Sequence, residues 1–252
     1  MPDPATLALL VILALIVGGL VGCVGIGGVL LPPALAYIGG FDLHLAMATS
    51  MFSFLFTGIT GTATYWRRSS IDWRLVAWLS AGIVPAALLG ARSNGALPVS
   101  TLTVLLALLI AAAGVNAFTK PPAGERSPSS FGALVLVPIG AVVGFGSALT
   151  GTGGPVLLVP LLVFLRMPVL SAVGASQPIQ LPVAAFATIG YFLYGRVDFT
   201  LGAVLGLVAV AGVVMGARIA HAVPARTLRL VVALALVGVG LSMLIRNLGE
   251  VV

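Results

Sequence analysis

Charged side chains are scarce in this sequence: 7% of its 252 residues are Asp, Glu, Lys or Arg, whereas 60% are hydrophobic. Soluble domains carry about 25% charged residues, so this chain cannot cover a water-exposed surface. The composition predicts a protein surrounded mostly by lipid, and it excludes a soluble enzyme, a nucleic-acid-binding protein and a disordered chain. The net charge of +6 then indicates arginines in loops, where they orient a membrane protein.

Cysteines and carboxylates within apolar segments are also nearly absent. The single cysteine, Cys23, excludes a disulfide within the chain and a cysteine-based metal site. Asp42, Asp72 and Asp198 lie at predicted helix ends, so no carboxylate is expected mid-span to relay protons. Neither histidine has an Asp, Glu or Cys at the spacing of a metal site or a catalytic triad. We therefore expect a protein that is not an enzyme, with no catalytic residue, metal or cofactor.

Long uncharged segments, in contrast, are abundant. A helix needs about 20 apolar residues to cross the hydrocarbon core, and eight segments are long enough: 5–24, 43–66, 73–91, 98–118, 131–149, 169–194, 199–217 and 227–245. Two shorter apolar stretches, 29–38 and 155–165, follow glycine-rich sequence. The N-terminal run has no basic start and exceeds a signal-peptide core, so we interpret it as a retained first span.

An internal duplication with an offset of 126 residues relates the two halves. Gly, Ser, Pro, Asp, Arg and Tyr positions match at this offset, among them Gly25/Gly151, Gly27/Gly153, Gly28/Gly154, Ser50/Ser176, Tyr65/Tyr191, Asp72/Asp198, Arg92/Arg218 and Pro98/Pro224. Apolar helices often match by chance, whereas these residue types at one constant offset do not. We therefore expect a first transmembrane repeat at 1–118, a polar cytoplasmic linker at 119–130 and a second transmembrane repeat at 131–252.

The arginines predict that the repeats are inverted. In each repeat, two successive loops between long helices carry basic residues: Arg67, Arg68 and Arg74, then Arg92, in the first, and Arg196, then Arg218, Arg226 and Arg229, in the second. Parallel repeats would place four of these basic residues on each side of the membrane. Inverted repeats place six on one side and two on the other. The positive-inside rule puts the six in the cytoplasm and the N-terminus outside. Whether the stretches 29–38 and 155–165 cross fully or re-enter is left open.

Two glycine motifs, GIGGVLLPPAL at 25–35 and GTGGPVLLVPLL at 151–162, interrupt the apolar sequence. Broken backbone at membrane depth requires protein or a cavity to satisfy its polar groups, and a restarted helix offers free N–H groups and a positive dipole end to an anion. Paired interruptions in two repeats are a pointer to a transporter's binding site. The alternative is close helix packing through small residues. The candidate residues are Gly25, Gly27, Gly28, Gly151, Thr152, Gly153 and Gly154.

Polar side chains follow each motif at matching spacing. Thr49 and Ser50 follow the first motif, and Ser176, Gln177 and Gln180 follow the second. Gln is costly at lipid depth unless it faces a partner or a cavity, and hydroxyls and amides near helix starts could complete a shell around an oxyanion. The alternative for the hydroxyls is a hydrogen bond back to their own helix. We include all five residues in the predicted substrate-binding site.

Two repeats, each with a GxGG break, a proline a few residues later and an Ala-x-x-Thr/Ala-Ser turn, resemble the TauE/SafE sulfite exporter family over nearly the whole chain. The third glycine common in that family is Val29 in one motif and Pro155 in the other. The resemblance implies a multi-pass permease of the bacterial inner membrane for sulfite or a small organosulfonate such as sulfoacetate.

The expected fold is thus all-α and polytopic, with inverted repeats that each contain a Gly-broken helix and about four long transmembrane helices. The expected function is export of a small anion by alternating access around a midplane site. A passive anion channel is the alternative, and a structural membrane protein is a third hypothesis. The expected partners are the anion and the lipid bilayer, without nucleic acid, and a homodimer is left open.

Overall fold

The computed structural model describes residues 3–68, 71–94, 104 and 131–224, together with scattered positions between 226 and 245. Within this part of the chain, every regular element is helical. Six helices are long and apolar enough to cross a membrane, which agrees with six of the eight predicted segments. The predicted segment 98–118 and most of 227–245 lie outside the described residues, as does the linker 119–130.

Eight α-helices follow one another along the described residues. They are α1 (Pro4–Val24), α2 (Leu31–Tyr37), α3 (Leu43–Trp66), α4 (Trp73–Ser93), α5 (Ala133–Thr150), α6 (Gly154–Phe164), α7 (Val169–Tyr194) and α8 (Phe199–Ala222). A 3₁₀ turn, Gly27–Leu30, leads directly into α2. The two short apolar units, Gly27–Tyr37 and Gly154–Phe164, each have 11 residues and lie between long helices at matching places in the two halves.

Aspartates begin four of the long helices. Asp3, Asp42, Asp72 and Asp198 each accept a hydrogen bond at the N-cap from a backbone N–H of the first turn. Such a cap satisfies one of the N–H groups that a helix start leaves without a partner. The predicted position of the last three aspartates at helix ends is therefore confirmed.

Glycines end α1 and α5. Gly25 has φ +77° and Gly151 has φ +67°, and each caps the helix that precedes it. This left-handed conformation is disfavoured by roughly 1–2 kcal/mol for L-residues with a Cβ, whereas glycine adopts it freely. The two residues are 126 positions apart, so the same turn ends the first long helix of each half.

The first and last described long helices pack closely and run in the same direction. Gly18 of α1 lies against the backbone of Ala209 in α8, and four residues later Gly22 lies against Val213. Because contacting positions advance together along both helices, α1 and α8 are parallel. A Cβ on either glycine would overlap the partner's backbone, so this close approach requires glycine.

The same packing occurs 126 positions away, between α4 and α5. Gly144 of α5 lies against the backbone of Ile83 in α4, and Gly140 lies against Leu79. The contacting positions again advance together, so α4 and α5 are parallel. Helix α3, in contrast, crosses α7 with opposite direction, since Gly58 contacts Leu181 whereas Gly61 contacts Gln177.

Two tyrosines define which helix ends lie together. The Tyr65 hydroxyl donates to the Gly22 carbonyl at 2.7 Å, and the Tyr191 hydroxyl donates to the Ala148 carbonyl at 2.5 Å. The Tyr65 ring also lies 4.6 Å from that of His221. Helices α1, α3 and α8 therefore terminate together, at what we call the first end of the bundle.

Helices α4, α5 and α7 terminate at the opposite, second end. The Tyr191 contact joins the ends of α7 and α5, and the Arg92 guanidinium at the end of α4 lies 5.8 Å above the Tyr194 ring at the end of α7. Segment 25–37 therefore runs back from the first end to the start of α3. Segment 151–164 makes the corresponding return from the second end to the start of α7.

Candidate functional site

A narrow cavity lies where the two glycine segments meet. Its walls are formed by Gly25 and Gly28 from the first segment, Thr152, Gly153, Pro155 and Val156 from the second, and Val21, Phe54 and Gln180 from the long helices. Phe54 is the twelfth residue of α3 and Gln180 the twelfth of α7, so the cavity lies about halfway along both helices. No charged side chain is found among the described residues that line it. The cavity is closed in this structure and leaves no room for a water molecule.

The backbones of the two glycine segments approach each other directly at Gly28. A Cβ on Gly28 would overlap the carbonyl oxygen of Thr152, and it would lie 3.2 Å from the ring of Phe54. Gly153, with φ +80°, lies against the same ring, near Cδ2 and Cε2. The Phe54 ring thus contacts one glycine from each half. A side chain at position 28 would push the two segments apart, and one at position 153 would press on the Phe54 ring.

The two short helical units begin without a side-chain cap from any described residue. This holds for the start of α6 and for the start of the 3₁₀ turn at Gly27. Pro155 occupies the first turn of α6 and has no N–H to satisfy, which suits this position. The remaining N–H groups of a helix's first turn have no partner within the helix, and together with the positive end of the helix dipole they suit a negatively charged ligand.

Gln180 contributes an amide to the cavity wall and connects α7 to α3. Its Nε2 donates to the Phe54 carbonyl at 3.1 Å and to the Thr57 hydroxyl at 2.5 Å. Since the Phe54 carbonyl can only accept, this contact fixes which end of the amide faces α3. The other end, Oε1, is buried and has no hydrogen-bond partner in the part of the chain that the structure describes. An unpaired buried carbonyl is destabilising by about 1–3 kcal/mol, so this conformation leaves Gln180 incompletely satisfied.

The serine hydroxyls bond to their own helices, as the alternative interpretation proposed. Ser50 donates to the Ala46 carbonyl at 2.7 Å, and Ser176 donates to the Val173 carbonyl at 2.8 Å. A hydroxyl has one proton to donate, so each serine would have to rotate before it could donate to an anion. Ser176 Oγ nevertheless lies close to Gly25, so it is next to the first glycine segment.

Two of the other predicted residues, Thr49 and Gln177, lie away from the cavity wall. The Thr49 hydroxyl accepts from the N–H of Asp198 at 3.2 Å, at the start of α8. Gln177 Nε2 donates to the Val21 carbonyl at 3.1 Å, and its unpartnered Oε1 lies against Gly61. These contacts hold helices together in this structure.

The remaining predicted glycines pack against long helices. Gly27 lies against α1, Gly151 against Met47 of α3, and Gly154 against Val183 and Ile179 of α7. Of the predicted residues, the structure therefore brings Gly25, Gly28, Thr152, Gly153 and Gln180 to one cavity, with Ser176 beside it.

Two features of this region were not assigned from the sequence. The repeat alignment pairs Tyr65 with Tyr191, but it does not indicate that these hydroxyls bond carbonyls in the last turns of α1 and α5. Phe54, between the glycine segments, has no polar atom that could attract notice in a sequence. The match of two tyrosines at the repeat offset was the available signal for the first feature, and for the second there was none.

The described residues thus define a multi-pass helical membrane protein in which two interrupted segments, one from each half, meet at a buried and uncharged cavity. Comparison with known proteins is consistent with this class. The profile of the family described as sulfite exporter TauE/SafE matches residues 7–243. The chain belongs to the TauE/SafE family of membrane transporters.

Curated relatives are similar to this chain over most of their length. A probable membrane transporter protein of Bacillus subtilis, YjnA, is 25% identical and covers 93% of this chain and 98% of the relative. A second probable membrane transporter protein from the same organism, YunE, is 25% identical and covers 94% of this chain and 96% of the relative. A probable membrane transporter protein of Xylella fastidiosa is 27% identical and covers 73% of this chain and 75% of the relative. No solved structure matches the chain.

Proposed function

We propose that this protein exports a small anion, sulfite or a C2 organosulfonate such as sulfoacetate, by alternating access around the central cavity. The observation that carries the proposal is the meeting of both glycine segments with the Gln180 amide in one uncharged cavity halfway along α3 and α7. Helix starts without side-chain caps suit an oxyanion. The description of the family as sulfite exporters supports this class of substrate.

The proposed architecture is a pair of inverted repeats that each contain a Gly-broken helix. Support comes from the helix directions: α1, α3 and α8 end at the first end, whereas α4, α5 and α7 end at the second. Helices α1 and α5 are related by the 126-residue offset and run in opposite directions, as do α3 and α7. In such an architecture the glycine segments return through the bundle, and alternating access moves one repeat against the other.

The proposed orientation places the first end in the cytoplasm of a bacterial cell and the N-terminus outside. Arg67, Arg68 and Arg226 lie in sequence just after the helices that end at the first end. Arg92 and Arg196 belong to the second end, where fewer basic residues are found. Cytoplasmic loops carry the excess of Lys and Arg. The linker 119–130 belongs to the cytoplasm in this proposal.

The energetics of export are favourable in this orientation. An inside-negative potential of about 100 mV favours the exit of each negative charge by about 2.3 kcal/mol. Export of sulfite therefore needs no coupling ion on energetic grounds. This argument is consistent with the lack of charged side chains on the cavity wall, since no carboxylate is available there to bind a cation.

The cavity is closed in this structure, with no room for a water molecule, as a carrier requires between its two open states. A channel would need a continuous polar path in its open state. In a carrier, α3 and α7 would separate on one side, which would release the Gln180 amide from the Phe54 carbonyl and the Thr57 hydroxyl. The amide N–H groups could then turn to the anion together with the N–H groups of the glycine segments.

Counterflow in proteoliposomes tests the proposal. Liposomes loaded with unlabelled sulfite should accumulate labelled sulfite transiently against its gradient, because a carrier exchanges bound substrate across the membrane. Flux that rises linearly with concentration, together with single-channel currents, would indicate the alternative anion channel. If liposomes that contain the protein oriented for export show neither sulfite nor sulfoacetate flux, the proposed function is wrong.

Substitution of a glycine at the cavity, with a matched control elsewhere, tests whether the flux depends on the cavity. We expect Gly28→Ala to abolish counterflow, because the added Cβ overlaps the Thr152 carbonyl where the two segments meet. Gly132→Ala is the matched control, since no atom of the described residues lies within 4 Å of a Cβ added there. Both variants are compared at equal amounts of monodisperse protein. Wild-type counterflow in Gly28→Ala would separate the glycine segments from the transport pathway.

A further inference from the structure

A second, larger cavity opens at the second end of the bundle. It encloses about 530 Å³, and ten of the described residues line it. Those with polar or charged side chains include Asp42, His44, Arg92, Asn94, Tyr194 and Arg196. This volume is within the range of small-molecule sites, about 300–1,000 Å³. We call this cavity the vestibule. It shares no lining residue with the central cavity.

Positive charge predominates on the vestibule wall. The guanidinium groups of Arg92 and Arg196 are exposed, and the Tyr194 ring lies 5.8 Å from the Arg92 guanidinium, an arrangement that holds a cation in place. The Asp42 carboxylate accepts hydrogen bonds from the N–H groups of His44 and Leu45 at 3.0 and 3.3 Å. It thus caps the start of α3, and two guanidinium groups against this one carboxylate give the described wall its positive charge.

The floor of the vestibule connects to the second glycine segment. Asn94 is buried, and its Nδ2 donates to the Leu149 carbonyl at 2.6 Å, two residues before Gly151. The Asn94 Oδ1 accepts from Nδ1 of His44; the donation by Nδ2 to a carbonyl fixes the amide orientation and therefore the proton on Nδ1. Asn94 Nδ2 also contacts the sulfur of Met47 at 3.4 Å, and Met47 packs against Gly151. Polar contacts thus run from the vestibule to the segment that borders the central cavity.

We propose that the vestibule is a second anion-binding site, through which small oxyanions pass between the central cavity and the extracytoplasmic solution. The inference rests on the proposed function, because it takes the transported sulfite or sulfonate as its ligand. Arg92 and Arg196 attract the anion and bind it more weakly than the central site does, and the floor around Asn94 separates the two sites in this conformation. A dianion with two separated charges, such as sulfoacetate, is the ligand that two guanidinium groups suit best.

The local potential of the vestibule can be measured without any transport. A single cysteine is introduced by Leu45→Cys in a Cys23→Ala background, at a half-buried position on the vestibule wall. Its modification rates are then compared for an anionic and a cationic methanethiosulfonate reagent in the purified protein. Sulfoacetate serves as the competing anion, since sulfite itself would cleave the disulfide that the reagent forms.

We expect the ratio of the anionic to the cationic modification rate to be higher at this cysteine than on a free thiol. Coulomb attraction at about 10 Å in water predicts about a fourfold decrease of this ratio for each arginine replaced, as in Arg92→Gln and Arg196→Gln. The preference should shrink in about 0.5 M salt because of screening. Arg218→Gln is the matched control: it is the repeat counterpart of Arg92, belongs to a helix that ends at the first end, and should leave the ratio unchanged.

Protection and flux separate this inference from the proposed function. Sulfoacetate should slow modification of the introduced cysteine, and less so in Arg92→Gln. A ratio equal to that of a free thiol, or one that the arginine replacements do not change, would overturn the vestibule site even if sulfite counterflow is normal. If the ratio and the protection are as expected but no sulfite or sulfonate flux is found, the vestibule site stands and the proposed export falls.

Discussion

Replacement of Gln180 by methionine tests whether this amide binds substrate or ties two helices. Methionine is unbranched and of similar shape, so Gln180→Met removes the polar groups without forcing bulk into the cavity. The structure shows two donated hydrogen bonds, to the Phe54 carbonyl and the Thr57 hydroxyl, and one unpartnered acceptor, Oε1. The balance between these contributions sets the expected stability.

The stability of the substrate-free protein should hold or rise. Hydrogen bonds between membrane helices contribute about 0.6 kcal/mol each on average, so the two bonds supply about 1.2 kcal/mol. Removal of the unpartnered carbonyl offsets this with about 1–3 kcal/mol. The substitution leaves no new unpaired group, because the Thr57 hydroxyl still donates to the Phe54 carbonyl at 3.1 Å. The net change lies between about zero and about 2 kcal/mol in favour of the variant.

The affinity for the anion should fall in the same preparation. A hydrogen bond to a charged group is worth about 1.5–3 kcal/mol, and 1.4 kcal/mol corresponds to about tenfold. Sulfite affinity measured by calorimetry should therefore decrease by roughly tenfold to a hundredfold. The control is Gln177→Met, the same substitution one turn earlier on α7, at a residue that bonds Val21 and does not line the cavity. Its affinity should stay within about twofold of the wild type.

The opposite pattern would refute the reasoning. If Gln180→Met lowers the melting temperature while sulfite affinity is unchanged, the amide is a tie between α3 and α7 and takes no part in binding. Both quantities are read from one preparation in detergent, so a difference in expression cannot produce either result.

Three further predictions follow from the packing and the helix directions. Gly154→Ala should reduce counterflow only severalfold and remain folded, because the added Cβ meets a movable methyl group of Val183 at 3.1 Å; complete loss at equal protein would contradict this. Tyr65→Phe should lower the free energy of unfolding by about 1–3 kcal/mol, because it leaves the Gly22 carbonyl unpaired. A denaturant titration measures this change, and an unchanged midpoint would show that water replaces the hydroxyl. In a background without Cys23, cysteines introduced at positions 68 and 226 should react with an impermeant reagent from the same, cytoplasmic side of membrane vesicles, and labelling from opposite sides would exclude inverted repeats.

The sequence by itself determined the class of protein and the positions of its long helices. A chain with 7% charged residues cannot form a soluble surface, and uninterrupted apolar runs of about 20 residues have one stable form in lipid, because a helix satisfies its own backbone. The predicted segment 169–194 coincides with α7, and 43–66 with α3. Segment 199–217 ends five residues before α8 does, because the uncharged run stops at Arg218 whereas the helix continues to Ala222.

The sequence also marked the glycine positions at which α1 and α5 end, because a left-handed turn needs glycine and the 126-residue offset repeats it. What each polar side chain contacts was decided only by the tertiary structure. Ser50 and Gln177 were grouped with Gln180 by spacing along the chain, yet Ser50 bonds its own helix, Gln177 bonds α1, and Gln180 alone of the three lines the cavity. Spacing along one helix defines a face, whereas the partner of that face depends on which helices pack beside it. Asn94 and Phe54 show the same limit, since their roles arise from contacts with residues that are far away in sequence.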